Sequence, residues 1–348
     1  MIVLGIESSC DETSVAVLRE SGEFETEVLS NVISSQDFHK LFGGVVPELS
    51  SRAHIQQVLP LVKEALKKAG TTLEEVEVIT ATAGPGLIGA LLVGFMFAKS
   101  LALATKKVFI PVNHIEGHIF SGFLGGEKPE FPMLVLVVSG GHSLLLLVKS
   151  FTEFARLGTT VDDAAGEAFD KVSKLIGLGY PGGPKIQRYA ERGNPLAIPF
   201  PVSELKGRYD FSFSGLKTAV LRYVEKHYPE RHIPEQDLPN IAASFQYAVI
   251  RALTRSVKQA LKEYRVKSVS LVGGVAANKP LREAIAEIGN NQNVRVFIPG
   301  FEFCGDNAAM IAFRGYTLYK SGYGSDFEAE TFPALPEAGW GEIVNGEQ

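Results

Sequence analysis

One local pattern occurs twice in this chain and constrains its fold most strongly. A short apolar strand, a polar turn and a second strand follow one another over residues 2–18, and again over residues 133–149. Strand, polar turn and strand in this order are typical of a β-hairpin. The first turn, residues 7–13, is rich in Ser, Asp and Glu, and the second, residues 139–142, reads Ser-Gly-Gly-His. The repetition predicts two lobes of related design.

Strands alternate with helices around these hairpins, which favours an α/β fold. Apolar residues at helical spacing cover residues 54–69 and stop at Gly70, and Pro60 inside the pattern indicates a kink or a break. Residues 177–214 are rich in Pro, Gly and polar side chains and are predicted to be irregular. We predict two α/β lobes that flank a cleft, as in the actin, sugar-kinase and heat-shock ATPase group.

The length of 348 residues agrees with two domains at about 150 residues each. We predict an N-terminal lobe over residues 1–120, completed by a C-terminal helix at about residues 306–325. Residues 121–305 would form the C-terminal lobe, including a basic, helix-rich insertion. The remaining residues, 326–348, are acidic and contain proline, so a poorly ordered tail is expected there.

The sequence favours a cytoplasmic protein that does not enter a membrane. Its two cysteines, Cys10 and Cys304, lie far apart, which is typical of a reducing compartment. The N-terminus lacks the basic region of a signal peptide. The apolar segment 87–104 contains Lys and Ser as well as Gly89 and Gly94, and is predicted to be a buried helix. Its glycines allow close helix packing, either in the core or against a partner.

Charge is distributed unevenly along the chain. The formal net charge is −5, but residues 171–267 contain 17 Lys and Arg against 8 Asp and Glu, a local net charge of +9. Such asymmetry indicates either a surface that binds a polyanion or a helix-rich region with solvated basic side chains. If the first reading is correct, this segment is the candidate contact for a polyanion.

His114 and His118 are the first candidate metal ligands. Their i, i+4 spacing places both rings on one helix face, where they either share a metal ion or are two unrelated polar residues. Asp306 is a candidate third ligand or a helix N-cap. Glu116 follows the first histidine by two residues instead of one, about 200° around the helix. The general base of an HExxH protease is therefore missing.

Glycine-rich turns are candidate phosphate sites. Ser139–Gly141 and Gly273–Gly274 each follow a strand, and their backbone N–H groups either cradle phosphate or simply form tight turns. Asn278 follows the second turn and can bond the edge of an adenine or a ribose. If the turns do bind phosphate, this set would suit a nucleotide; otherwise the turns are structural.

Three carboxylates are candidates for proton transfer. Asp11 and Glu12 lie in the first hairpin turn, and Asp170 follows the second hairpin. Each can accept a proton from a nucleophile. Asp11 and Glu12 can equally stabilise a turn, and Asp170 can be an ordinary acid on a helix surface.

Nine segments in one order make a combined signature that no single motif provides. Together, from residue 2 to about 320, they resemble the bacterial TsaD family, the tRNA N6-adenosine threonylcarbamoyltransferases. The segments are Ile6–Ser14, Gly84–Gly86, Asn113–His118, Val138–His142, Gly166–Asp170, Tyr180–Pro184, Phe211–Gly215, Gly273–Asn278 and Cys304–Ala309.

The resemblance implies an actin-like fold, a metal and a nucleotide substrate in the cleft. The metal would be iron(II), with zinc as the rival, held by His114, His118 and Asp306. The nucleotide would be threonylcarbamoyl-adenylate or ATP. Its implied contacts are Val137, Val138, Ser139, Gly140, Gly141, Asp170, Gly183, Gln187 and Asn278.

The resemblance also implies a reaction and partners. The threonylcarbamoyl group would pass to N6 of adenosine 37 in tRNAs that read codons beginning with A, with AMP released and Asp11 or Glu12 among the candidate bases. The implied partners are tRNA, a TsaB-like paralogue and a TsaE-like ATPase. Two alternative classes are a metallopeptidase and a non-catalytic, ATP-binding scaffold subunit of the same complex.

Three positions differ from the usual family pattern. Gln187 stands where an Asp is common, and it can still hydrogen-bond a ribose hydroxyl but brings no charge. Ser143 replaces a common Thr, and Gly305 replaces a Thr or Ser before Asp306. None of these changes affects an implied metal ligand, so the differences concern affinity for the donor.

Overall fold

The chain forms two compact units, each built around one β-sheet. The computed structural model describes residues 1–203, 205–230, 232–335 and 341–342. Within these, the first unit comprises residues 1–128, 151–153 and 299–335, and the second comprises residues 129–150, 154–298 and 341–342.

The first unit contains a five-stranded sheet in the order β3-β2-β1-β4-β5. β1 to β3 are antiparallel neighbours, whereas β4 and β5 run parallel to β1. β4 is buried at all seven positions, as expected for a parallel strand covered on both faces. The strands are β1 (Ile2–Glu7), β2 (Glu12–Gly22), β3 (Glu25–Ser35), β4 (Val78–Gly84) and β5 (Val108–Asn113).

Three helices follow these strands in the first unit, α1 (Pro47–Ala69), α2 (Ile88–Thr105) and α3 (His114–Phe120), together with 3-10 turns at Asp37–Phe42 and Ser121–Phe123. α1 begins seven residues before the predicted start at His54 and continues through Pro60. Gly70 ends it in the left-handed conformation, at φ 64°, as the sequence predicted.

α2 is only partly buried, so the prediction of a buried helix holds for one of its faces. Phe95 and Ala98 lie in the core of the first unit, whereas Leu92 and Leu103 are 45% and 65% exposed. In the described part of the chain, α2 is the one helix whose length and apolar composition would allow it to cross a membrane.

The two glycines of α2 allow close packing inside the first unit. A Cβ at Gly94 would lie 2.3 Å from Ser8 Oγ, and one at Gly89 would lie 2.5 Å from Ser51 Oγ. The Gly94 N–H also donates to Ser8 Oγ at 3.2 Å. Of the two roles considered for these glycines, the structure shows the one in the core.

The second unit repeats the strand arrangement of the first. Its six-stranded sheet has the order β10-β9-β6-β7-β8-β11. β6 to β8 are antiparallel like β1 to β3, and β9 and β10 run parallel to β6. The duplicated hairpin is therefore confirmed. The strands are β6 (Met133–Val138), β7 (Ser143–Val148), β8 (Phe154–Thr159), β9 (Ser268–Val272), β10 (Arg295–Phe297) and β11 (Gly341–Glu342).

Among the described residues, five helices belong to the second unit. They are α4 (Ala165–Leu175), α5 (Gly182–Ala190), α6 (Ser214–His227), α7 (Leu238–Glu263) and α8 (Lys279–Gln292), with a 3-10 turn at Gly274–Ala277 before α8. The prediction of irregular structure over residues 177–214 is wrong for α5. Its first residue is a glycine because a Cβ at Gly182 would lie 2.4 Å from Phe169 O on α4.

The last two helices, α9 (Phe301–Cys304) and α10 (Ala308–Lys320), return to the first unit. α10 packs directly on β1, because a Cβ at Gly5 would lie 2.6 Å from Ala308 O. The Ala308 N–H donates to Ser14 Oγ on β2 at 2.9 Å. The last helix was expected to start at Asp306, but it begins two residues later, and Asn307 is its N-cap.

Residues 326–335 pack against the first unit, so a poorly ordered tail is the wrong description of them. Phe332 N–H donates to Ala83 O at 2.9 Å, and the Phe327 ring stacks on Phe109 with 5.9 Å between centroids. Lys99 Nζ donates to Ala329 O at 3.1 Å. Apart from Gly341–Glu342, the rest of the predicted tail lies outside the described residues.

The contact between β1 and α10 predicts a position that tolerates no side chain. We expect Gly5→Ala to lower the free energy of unfolding by about 1–3 kcal/mol, because the new methyl group would force α10 away from the sheet. Gly126→Ala is the matched control, since a Cβ there meets nothing within 4 Å. Denaturant unfolding followed by circular dichroism measures both. Equal stability of the two variants would contradict the close packing.

Candidate functional site

α3 presents two histidines side by side. It begins immediately after β5, where Asn113 Oδ1 accepts hydrogen bonds from the N–H groups of Ile115 at 2.9 Å and Glu116 at 3.4 Å. The cap fixes the start of the helix at His114 and places His118 one turn later on the same face. The centroids of the two rings are 4.8 Å apart, with the rings nearly perpendicular.

Asp306 meets both histidines. Its Oδ1 lies 3.1 Å from His118 Nε2 and 3.5 Å from His114 Nε2. The candidate ligand atoms of the three residues lie within 4.8 Å of one another. Because Asn307 caps α10, the side chain of Asp306 is not engaged as the N-cap. The structure thus brings together the three residues that the sequence suggested as metal ligands.

The donor atoms of this cluster suit a divalent transition metal. Two imidazoles and one carboxylate leave open coordination positions, as in iron and zinc sites that bind a substrate oxygen. His118 is fully buried, and its Nδ1 has no hydrogen-bond partner among the described residues. Its other ring nitrogen, Nε2, faces Asp306 at 3.1 Å, so Nε2 is the nitrogen that would coordinate a cation together with this carboxylate.

Glu7, which the sequence analysis did not select as a functional residue, orients His114. His114 Nδ1 lies 3.1 Å from Glu7 Oε2, and the carboxylate also accepts from Thr82 Oγ1 and the Ser9 N–H, each at 2.5 Å. An ionised carboxylate only accepts hydrogen bonds, so Nδ1 carries the hydrogen and Nε2 is left for a metal. The sequence signal that could have identified Glu7 was its position as an acid at the end of an apolar strand. The fold buries this side chain completely.

The surroundings shift the pKa values of the two histidines in opposite directions. Burial alone would lower the pKa of His114, but Asp306 and Glu7 raise this pKa well above its usual value. The pKa of His118 is lowered, chiefly by burial. Burial would raise the pKa of Asp306, but His114 and the hydrogen bonds from both histidines hold it well below its usual value. The two carboxylates thus favour a positive charge at the position of His114.

Of the candidate bases, Asp11 lies in the turn between β1 and β2, and Glu12 is the first residue of β2. Burial, followed by the negative charges of Asp306 and Asp11, raises the pKa of Glu12 to about 9. Glu12 is therefore protonated near neutral pH, and a cation bound beside Asp306 would lower its pKa again. Two side chains of α1 fix the position of this turn. Cys10 O accepts hydrogen bonds from Ser50 Oγ at 2.5 Å and from His54 Nε2 at 3.0 Å.

In the second unit, the turn after β6 is open on one side. The Ser139 N–H donates to His142 O at 2.8 Å, which closes the turn. Behind it, a Cβ at Gly166 on α4 would lie 2.6 Å from Ser139 O. In front, a Cβ at Gly140 or Gly141 would meet nothing within 4 Å. The turn is thus both tight and accessible, as a phosphate cradle must be.

Val137 and Val138 can contact a ligand only through their backbone. Both side chains are fully buried in β6. The turn after β9 lies directly beside β6, since a Cβ at Gly273 would come within 2.4 Å of Val138 O and the residue has φ 94°. These residues mark the carboxyl ends of two parallel strands, where α/β sheets commonly bind ligands.

Asp170 and Gly183 lie at the junction of α4 and α5. Asp170 Oδ1 accepts a hydrogen bond from Gly182 N–H at 2.6 Å, so this acid shapes the start of α5 and is not a simple surface residue. A Cβ at Gly183 would meet nothing within 4 Å. The first turn of α5 is therefore open beside Gly183, and the N-terminus of a helix attracts anions.

Asn278 and Gln187 already have protein partners. Asn278 Oδ1 accepts from Leu281 N–H at 3.1 Å as the N-cap of α8, and its Nδ2 donates to Gln246 Oε1 at 2.8 Å. Gln187 Oε1 accepts from Lys279 N–H at 3.0 Å. Their amides have a structural role at the start of α8, and their contact with a nucleotide stays a prediction.

Glu116 does not face the histidine pair. Its Oε2 accepts hydrogen bonds from Arg314 Nε at 2.7 Å and from Arg314 Nη2 at 2.6 Å. Arg314 is almost fully buried on α10 and also donates to Phe151 O at 2.7 Å. A carboxylate held in this buried ion pair does not serve as the general base of a metalloprotease.

Known proteins resemble this chain over almost its full length. The family model for TsaD, tRNA N6-adenosine threonylcarbamoyltransferase, matches residues 27–313. The protein of that name from Thermosipho africanus is 50% identical over 338 residues, which is 96% of this chain and 99% of the relative. The one from Symbiobacterium thermophilum is 47% identical and covers 96% of both chains.

Solved structures with lower identity share the fold. T. kodakarensis HypF superposes with a TM-score of 0.63 at 17% identity, over 92% of this chain and 48% of HypF. The activator of 2-hydroxyisocaproyl-CoA dehydratase from Clostridium difficile gives a TM-score of 0.51 at 14% identity, over 92% and 96% of the two chains. The fold is therefore of the actin-like ATPase type, as the sequence predicted.

The hydrogen bond between Glu7 and His114 predicts an effect on metal affinity. We expect Glu7→Gln to weaken binding of iron(II) and of zinc by about 10–100-fold, because a neutral amide neither fixes the imidazole tautomer nor makes the ring more basic. Titration of the purified apoprotein against a competing chelator measures this affinity. Glu77→Gln is the control, a 62% exposed carboxylate of the same unit. Wild-type affinity in Glu7→Gln, with an unchanged unfolding curve, would contradict the proposed role of Glu7.

Proposed function

The chain belongs to the TsaD family of tRNA N6-adenosine threonylcarbamoyltransferases and is a tRNA-modifying transferase, and from this premise we propose its donor, acceptor atom and product. The donor is threonylcarbamoyl-adenylate, the acceptor is N6 of adenosine 37 in tRNAs that read codons beginning with A, and AMP is released. The observation that carries this proposal is the complete cluster of His114, His118 and Asp306 in a chain with such relatives.

The proposed transfer balances without a further reactant. The N6 amine attacks the carbamoyl carbon of the mixed anhydride, and a C–N bond forms. The C–O bond to phosphate breaks, AMP leaves with the electron pair, and the N6 proton passes to a base. Because the lone pair of this amine is delocalised into the purine ring, the positioning of both substrates is expected to supply much of the rate. Asp11, Glu12 and Asp170 are the candidate bases.

His114, His118 and Asp306 would hold one divalent metal, which we propose to be iron(II), with zinc as the rival. When bound, such an ion supplies Lewis-acid polarisation of an oxygen atom. The contribution of the protein is to hold the ligands in place. Glu7 keeps Nε2 of His114 available, and Asn113 sets the position of both rings by capping α3.

The adenylate is assigned to the second unit, at the carboxyl ends of β6 and β9. The backbone of Ser139–Gly141 is uncovered on one side, so its N–H groups can approach phosphate closely. Gly183 opens the first turn of α5 in the same way. Among the residues implied by the family, Val137 and Val138 would contribute backbone contacts alone.

We also propose that the enzyme is cytoplasmic and works with a TsaB-like paralogue and a TsaE-like ATPase. The surface we assign to the paralogue is the exposed apolar face of α1 and α2. It includes Ile55, Leu59, Leu92, Met96 and Leu103, which are between 45% and 65% exposed. Contiguous apolar side chains on a helix pair are typical of a protein interface.

Mass spectrometry of nucleosides tests the proposed reaction. Unmodified tRNA is incubated with the protein, its partner proteins and synthetic threonylcarbamoyl-adenylate. We expect modified adenosine with the wild type and a loss of at least about 100-fold with His114→Ala/His118→Ala, which removes two metal ligands. The control is His227→Ala/His232→Ala, which removes two histidines remote in sequence from the cluster.

The outcomes separate the competing functions. Equal product from both double variants would preserve the transfer reaction and remove the metal assignment. No product from the wild type, with partner proteins shown to be active alongside a known family member, would favour the scaffold role. Cleavage of a denatured protein that depends on His114 and His118 would favour the peptidase.

The open turn after β6 predicts a variant that folds but binds nucleotide poorly. We expect Gly140→Val to weaken AMP binding by about 10–100-fold, because one charge-assisted hydrogen bond to phosphate contributes about 1.5–3 kcal/mol. Titration calorimetry with AMP measures the affinity. Gly126→Val is the control, because its new side chain also enters open space. Unchanged AMP affinity in Gly140→Val would remove this turn from the nucleotide site.

A further inference from the structure

α7 in the second unit presents a row of cations. Arg251, Arg255, Lys258 and Lys262 follow one another at i, i+4, i+7 and i+11, so they lie along one face of the helix. All four are exposed. At 1.5 Å per residue the row extends for about 16 Å. This is a continuous positive stripe within the basic segment that the sequence analysis identified.

The four cations line a groove. With Val202, Thr254 and Gln259 they enclose a cavity of about 510 Å³ on the surface of the second unit. No carboxylate lines this groove within the described part of the chain. The lining is polar and basic apart from Val202, so the groove suits an extended anion and not an apolar peptide.

Most of these charges have no acidic partner among the residues that the structure describes. Arg255 donates to Ser203 O at 2.9 Å. Arg251, Lys258 and Lys262 form no ion pair with a carboxylate of any described residue. Glu263, the acid nearest along the helix, is already paired with Arg208 at 2.9 Å and accepts from Tyr209. Adjacent like charges on a helix are destabilising, so a polyanion in the groove would relieve their repulsion.

An aromatic ring lies at one end of the stripe. Tyr247 is one turn before Arg251 and is 38% exposed. The Arg251 guanidinium lies 5.7 Å from the centre of the Tyr247 ring. Proteins that bind single-stranded nucleic acids combine two elements. One is a row of cations that follows the backbone, and the other is an exposed aromatic ring on which a base can stack.

We propose that the groove along α7, from Tyr247 to Lys262, binds the phosphodiester backbone of the tRNA substrate. This inference rests on the proposed function for the identity of the RNA. The length of the row of cations favours RNA over a single phosphate ion, because one such ion would neutralise only one or two of the four cations. The exposed tyrosine favours RNA over an acidic peptide, which offers no bases to stack.

The test compares two triple variants of the full-length protein. Arg251→Gln/Lys258→Gln/Lys262→Gln removes three groove charges. Lys174→Gln/Arg222→Gln/Lys226→Gln removes three charges from exposed positions on α4 and α6 that do not line the groove. Binding of fluorescent, unmodified tRNA is measured by polarisation from about 50 to about 200 mM salt. Both variants change the net charge equally, so a difference between them reports the groove itself.

We expect the groove variant to bind tRNA at least about tenfold more weakly at low salt, with a slope of log affinity against log salt reduced by roughly 2–3. The control variant should retain most of the affinity and slope of the wild type. An unchanged slope in the groove variant, or an equal loss in the control, overturns the proposal. Displacement of the RNA by polyglutamate at equal charge concentration also overturns it, in favour of an acidic protein ligand.

The nucleoside assay on the wild type separates this proposal from the proposed function. Product formation together with wild-type RNA binding by the groove variant removes the α7 surface and preserves the transfer reaction. A selective binding defect without any product from the wild type preserves the RNA-binding surface and removes the transfer reaction.

Discussion

The hydrogen bond between Glu7 and His114 is the interaction on which the candidate metal site depends. A buried carboxylate is tolerated only when charge and hydrogen bonds compensate its lost hydration. Glu7 meets this requirement with one partner from each of three segments: the Ser9 N–H after β1, Thr82 on β4 and His114 on α3. The compensation that stabilises the charge thus also fixes the orientation of a candidate ligand. Stability of the first unit and geometry of the cluster arise from the same contacts.

The two units share one strand arrangement but differ in the turns that follow their central strands. β1 and β6 occupy equivalent central positions, and each runs into a turn at its carboxyl end. After β1 the turn carries charged and polar side chains, from Glu7 to Glu12, close to the histidine cluster. After β6 the turn carries glycines, which leave the backbone N–H groups uncovered. Side chains suit a cation and bare backbone suits a phosphate, so the two turns differ in the way that the two proposed sites would require.

Much of the fold and part of the site could be predicted from local patterns. The hairpins, the cap at Gly70 and the i, i+4 histidine pair depend on residues close in sequence, and the structure shows each of them. The predicted start of α10 was wrong because Asp306 and Asn307 are both good N-caps, and the contacts with His114 and His118 draw Asp306 away. The packing of residues 326–335 on β4 and β5 was also missed, since its partners lie more than 200 residues away.

By itself, the sequence determined the α/β class, the duplicated hairpins, the family and the residue types available for a metal and a nucleotide. Spacing and composition carry that information because they depend on residues that lie close together in the sequence. Only the tertiary structure decided that Glu7 orients His114, that Glu116 pairs with Arg314, and which basic residues of α7 form one groove. These relations depend on burial and on contacts between distant segments. The free energy of a charge depends on its surroundings, which no local pattern specifies.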